Sequence, residues 1–183
     1  MSTTQKKRDG YHKTIKQVPD LYDSEKISAS FRDSLLSSGL SNKELAQSLE
    51  VGRSVVSHLT SGTRRPKLLL VLKFANLNHK TLSTYVTGRD IPKADTYDID
   101  EVFEHLAHIF HKTSYSCIGS SINRCYFQRT TYQSYLKADS DHFKKNFSLE
   151  QLLELCNFHQ VDVETLLSES YHPVPERTRK PRS

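Results

Sequence analysis

Residues 39–66 read GLSNKELAQSLEVGRSVVSHLTSGTRRP, and this stretch decides the fold. Ser41 and Glu44 stand at the spacing of a capping box: the hydroxyl accepts the N–H of the fourth residue, and the carboxylate returns to the cap's own N–H. Leu45, Ala46 and Leu49 then give a short helix one buried side. Glu50-Val51-Gly52 interrupts the pattern, and a second helix follows from Arg53 to Leu59 with Val56 and Leu59 facing inward. Gly62 and Pro66 mark residues 61–66 as a loop. The side chains left pointing outward from the second helix are Arg53, Ser54, Val55, Ser57 and His58.

The pattern extends in both directions. Upstream, Ile27, Phe31 and Leu35 recur on one helical stripe that stops near Gly39. Downstream, residues 68–77 and 81–86 form two more short helices, which makes five helices within 27–88. Residues 1–26 are polar and basic and read as a flexible arm, with Lys6, Lys7 and Arg8 at its start. Residues 89–97 carry a Pro and mixed charges and read as a linker. Beyond it, Asp98 or Asp100 caps a helix whose Val102, Phe103, Leu106, Ile109 and Phe110 share an arc of about 120°. No segment sustains a two-residue alternation, so the fold class is all-α.

Residues 98–170 echo the first half. Leu72-Lys-Phe-Ala-Asn76-Leu lines up with Leu153-Glu-Leu-Cys-Asn157-Phe, and residues 82–86 line up with 163–167 at the same offset. Leu45-Ala46-x-x-Leu49 resembles Ile118-Gly119-x-x-Ile122 at a shorter one, so about eight extra residues must fall within 135–147. The expected architecture is two five-helix units in tandem, followed by a basic tail at 171–183.

The set of Ala46 at a helix crossing, Val51 in the turn, Val56 and Leu59 behind the second helix, and Ser-Gly-x-x-x-Pro beyond resembles the lambda-repressor-like (XRE-type, Cro-type) helix-turn-helix family over about residues 27–88. Residues 98–170 would be a degenerate second copy. Glu50 departs from the pattern, because the family prefers Gly at this turn. The resemblance implies double-stranded DNA as partner, with the second helix of the motif lying in the ~12 Å major groove. Arg53, Ser54, Val55, Ser57 and His58 are then the base readers; Arg53 suits guanine O6 and N7, and Val55 suits a thymine methyl. Asn42, Ser61, Thr63, Arg64, Arg65 and Lys67 are the candidate phosphate contacts, with Lys6, Lys7 and Arg8 as arm contacts. In the second unit the candidate readers are Gln128, Arg129, Thr131 and Gln133.

Charge is distributed unevenly. Residues 1–97 hold 16 Lys and Arg against nine Asp and Glu, whereas residues 98–170 hold six against 11. Phosphate is repelled by an acidic field, so the second unit is expected to oligomerise or recruit a protein rather than grip DNA. The function expected is a sequence-specific transcriptional regulator of phage, plasmid or mobile-element type, a repressor bound as a homodimer to a palindromic operator. If both units of one chain bind DNA, the half-sites are unlike. The alternatives are a DNA-binding adaptor for plasmid partition or replication control whose second domain recruits a protein partner, and an antitoxin-like interaction module.

Other chemistries find little support. His105, His108 and His111 fall opposite the apolar arc and read as a solvent face rather than a metal site, and Cys117 and Cys125 lack zinc-finger spacing. There is no phosphate-binding Gly-rich loop or nucleophile elbow, so no enzyme, cofactor or metal is expected. The absence of ~18 consecutive apolar residues excludes a helical membrane span. The polar start lacks a secretory signal, and three Cys give no even framework, so a cytoplasmic location is expected.

Overall fold

The computed structural model describes residues 20–113, 129–137 and 140–173. The first five helices are α1 (Ser24–Leu36), α2 (Asn42–Ser48), α3 (Arg53–Thr60), α4 (Leu68–Leu77) and α5 (Leu82–Thr87). After them come α6 (Ile99–Lys112), α7 (Arg129–Lys137), α8 (Ser140–Asn146), α9 (Leu149–His159) and α10 (Val163–Leu167). Only two isolated β-bridges, Lys67 with Ser148 and Lys80 with Pro92, accompany them, so the described chain is all-α.

Local chemistry sets the helix ends. Asp23 accepts the Lys26 N–H at 3.2 Å, so α1 starts at Ser24, three residues before the stripe that reveals it. The capping box forms as expected: Glu44 N–H donates to Ser41 Oγ (3.3 Å) and Ser41 N–H to Glu44 Oε2 (2.7 Å). Asp98, not Asp100, caps α6, accepting the N–H groups of Asp100 and Glu101. At the turn after α2, Glu50 takes a φ of 55°, the conformation that makes Gly the usual choice. Lys73 braces this turn, donating from Nζ to Glu50 Oε2 (2.5 Å) and to the Leu49 carbonyl (3.2 Å).

A single core runs from Ile27 to Leu167. At its centre lies α9, in which every residue from Leu149 to Asn157 is buried, although Glu150, Gln151 and Glu154 are polar. The first half satisfies two of the polar groups: Ser28 Oγ donates to Glu150 Oε1 (2.6 Å) and Ser24 Oγ to Glu154 Oε1 (3.4 Å). Residues 89–97 pack closely as well. Lys93 N–H donates to the His79 carbonyl (2.8 Å), and the buried Tyr97 hydroxyl accepts the Leu82 N–H (2.6 Å) while donating to Glu164.

His105 departs from the solvent-face expectation. Its ring is half-buried against α10, where burial outweighs a backbone bond to Leu166 and lowers its pKa, while His108 and His111 are exposed. The five residues buried on α6 are those of the sequence arc, and α10 covers its flank at His105. Cys117 and Cys125 lie outside the described residues. Among the described residues, no group of three His, Cys, Asp or Glu is arranged to hold a metal, and no helix is long and apolar enough to cross a membrane.

Candidate nucleic-acid interface

Val56 and Leu59 fix α3 to the core, and α2 lies against it. Arg53, Ser54, Ser57 and His58 are exposed along the opposite face, with Val55 half-buried at its edge. Four of the five expected base readers therefore project from one helix whose other side is immobilised by packing.

The loop after α3 is built by hydrogen bonds to the helix end. Thr63 Oγ1 donates to the His58 carbonyl (3.2 Å) and lies 3.1 Å from His58 Nδ1, and Ser61 Oγ donates to the same carbonyl at 3.2 Å. Ser61 and Thr63 thus orient His58 and close α3, which is a structural use of two expected phosphate ligands. Gly62, at φ 74°, lets the chain reverse; a Cβ there would meet the Arg32 guanidinium at 2.6 Å. Arg64 and Arg65 are exposed beside this turn, and Asn42 is exposed as the first residue of α2.

Lys67 behaves otherwise than its sequence position suggests. Its Nζ donates to the Asn146 carbonyl (2.7 Å), and burial, with the Arg64 charge next, lowers its pKa. That ammonium ties the first half to α8. Arg32, missed by sequence reasoning, is brought against Gly62 from α1, where its guanidinium also pairs with Asp33 at 3.6 Å. Only the tertiary approach of α1 to the loop reveals it.

Lys6, Lys7, Arg8 and Gln128 lie outside the described residues. Arg129 opens α7, Thr131 is half-buried, and Gln133 is exposed with Ser134 beside it. The acidic residues of the second half do not gather on α7, whose sequence RTTYQSYLK has two basic residues and no acidic one. Glu150 and Glu154 are buried against α1, Glu164 is bound to Tyr97 and Ser83, and Asp100 pairs with Lys144. A regional charge sum thus misrepresents the local field at this helix.

Residues 31–84 match a family model described as helix-turn-helix, which spans α2, the Glu50 turn and α3. This segment is similar to the lambda-repressor-like helix-turn-helix units of DNA-binding transcription regulators. The comparisons with curated proteins and with solved structures each gave no match.

Proposed function

We propose, from residues 31–84 being a helix-turn-helix unit, that the protein is a sequence-specific reader of double-stranded DNA that represses transcription from an operator. The observation that carries this reading is the exposed face of α3, with Arg53, Ser54, Ser57 and His58 outward, Val56 and Leu59 anchored behind, and Arg64 and Arg65 at its end. A helix held in this way enters the major groove as a rigid rod, so its side chains meet base edges without paying for local folding. Arg53 reads guanine, and Arg64, Arg65 and Asn42 hold phosphates and set the register. On this reading the protein acts in the cytoplasm by occupying DNA and carries out no chemistry of its own.

Nuclease protection over the protein's own upstream DNA tests the proposal. A protected stretch of two half-sites overlapping a promoter is the expected result. Iterated protected sites away from promoters would favour a role in partition, and absence of protection at any salt concentration would overturn DNA reading altogether.

A further inference from the structure

The contacts that join the two halves come in reciprocal pairs. Leu68 N–H donates to the Phe147 carbonyl and Leu149 N–H to the Pro66 carbonyl, both at 3.0 Å. Asn76 clamps the Tyr97 backbone (Nδ2 to O 2.9 Å, N to Oδ1 2.7 Å), and Asn157 clamps the Tyr22 backbone in the same way (3.0 and 2.8 Å). The Tyr97 hydroxyl accepts the Leu82 N–H at 2.6 Å, and the Tyr22 hydroxyl accepts the Val163 N–H at 3.3 Å. Ser83 N–H donates to Glu164 Oε1 (2.9 Å). Leu68 and Leu149 open α4 and α9, and Leu82 and Val163 open α5 and α10, 81 residues apart in both cases. Under that shift Asn76 becomes Asn157, Pro66 becomes Phe147, and Ser83 becomes Glu164 itself. An interface in which i touches j and j touches i is the signature of a two-fold axis. Here it lies within one chain, between Lys67 and Ser148 at one end and between Ser83 and Glu164 at the other.

The same relation reaches the reading helix. Val56 and Leu59, the anchors of α3, correspond to the buried Tyr132 and Tyr135 of α7, and from residues 54–60 to 130–136 the order of exposed, half-buried and buried positions is identical. Tyr132 Oη donates to the Thr113 carbonyl (2.6 Å) and Tyr135 Oη to Gln151 Oε1 (3.0 Å), so α7 is fastened as firmly as α3. Thr130, Gln133 and Ser134 then stand where Ser54, Ser57 and His58 stand. Arg65 and Lys67 of the first half share a cleft with Thr131, Ser134 and His142, which places cations rather than the acidic surplus beside α7. The helix α8 replaces the Ser-Gly-x-x-x-Pro loop, and this insertion breaks the symmetry locally.

We propose that α7 is a second base-reading helix and that one chain, through its internal two-fold, carries both halves of a DNA grip. The inference rests on the DNA-reading proposal above. Because the readers differ, the site consists of two unlike half-sites. Arg53 selects guanine in one, while Gln133 fits adenine N6 and N7 in the other. The second chain of a homodimer is then replaced by residues 98–170 of the same chain.

The test is selection of duplexes from a randomised pool by the full-length chain, followed by the mass of the complex and a repeat with Gln133→Ala. One chain per duplex is expected, on two dissimilar half-sites centred roughly 10–11 base pairs apart. Gln133→Ala should lose roughly 5- to 150-fold discrimination at one position of one half-site, with the other half unchanged. Because Gln133 is exposed, thermal unfolding of this variant should match that of the wild type. Two chains on an inverted repeat would overturn the inference, and so would a single half-site that depends on Arg53 and ignores Gln133. Either result would leave DNA reading by α3 standing, whereas enrichment of no duplex would overturn both.

Discussion

Arg53 and Arg64 are both exposed cations, separated by one helix and a turn, and the proposed reading gives them different tasks. Arg53 sits on the first turn of a helix anchored from behind, whereas Arg64 lies in the loop past its end, where the proposal puts a phosphate. Arg64→Ala should weaken binding to cognate and random duplex alike and reduce the salt dependence by about one phosphate, read as the slope of log K against log salt. A selective loss on cognate DNA would contradict that role. Gly62 is constrained twice, by its positive φ and by Arg32 lying over it. Gly62→Ala should cost about 1–2 kcal/mol in urea unfolding, mostly from the left-handed backbone, since the Arg32 side chain can swing aside. At this scale the sequence was legible where the chemistry is local, as with the Ser41–Glu44 box and the turn at Glu50. It was not legible for Lys67, because nothing near it in the chain announces the Asn146 carbonyl that takes up its ammonium.

Among the elements, α9 is the most completely buried. The match of Leu72–Leu77 with Leu153–Phe158 pointed to it, and the structure begins α4 and α9 at the corresponding residues. What the match could not reveal is that Asn76 and Asn157 clamp backbone across the interface, since a lone Asn in a helix carries no local sign of its partner. Asn157→Ala leaves the half-buried backbone N–H and C=O of Tyr22 without their partners and should cost about 1–2 kcal/mol, measured by urea unfolding. Asn76→Ala should destabilise through the equivalent loss at Tyr97. Wild-type stability in both variants would show that the reciprocal clamps contribute nothing. The stretch 135–147, where the repeat arithmetic demanded surplus residues, contains α8. The repeat arithmetic pointed to that stretch but could not say that Phe143 and Phe147 would stack at 4.7 Å within the core.

Across the whole molecule, burial decides where charge is tolerated. Glu150 is 2 % exposed and Glu154 is buried beside it, so acids that read as a repulsive surface in the sequence are used up in joining the halves. Burial also gives stability a pH dependence. The Thr113 hydroxyl donates to the Ile109 carbonyl (2.8 Å) and accepts from His159 Nε2 (3.0 Å), and burial lowers the His159 pKa below the ordinary imidazole value of about 6.5. The unfolded chain therefore takes up a proton that the folded ring resists. Stability present at pH 7 is lost as pH falls through about 6.5 towards the folded pKa. The urea midpoint should drop between roughly pH 7 and 5, less steeply in His159→Gln, and an unchanged slope in that variant would assign the effect elsewhere. The claim on which the rest depends is that α3 reads bases, and parallel selection of randomised duplexes by wild-type and Arg53→Ala protein tests it most directly. The account predicts the same motif from both proteins, with the preference for guanine lost at one position in the variant. Identical motifs with a uniform fall in affinity, or no motif from the wild type, would contradict it.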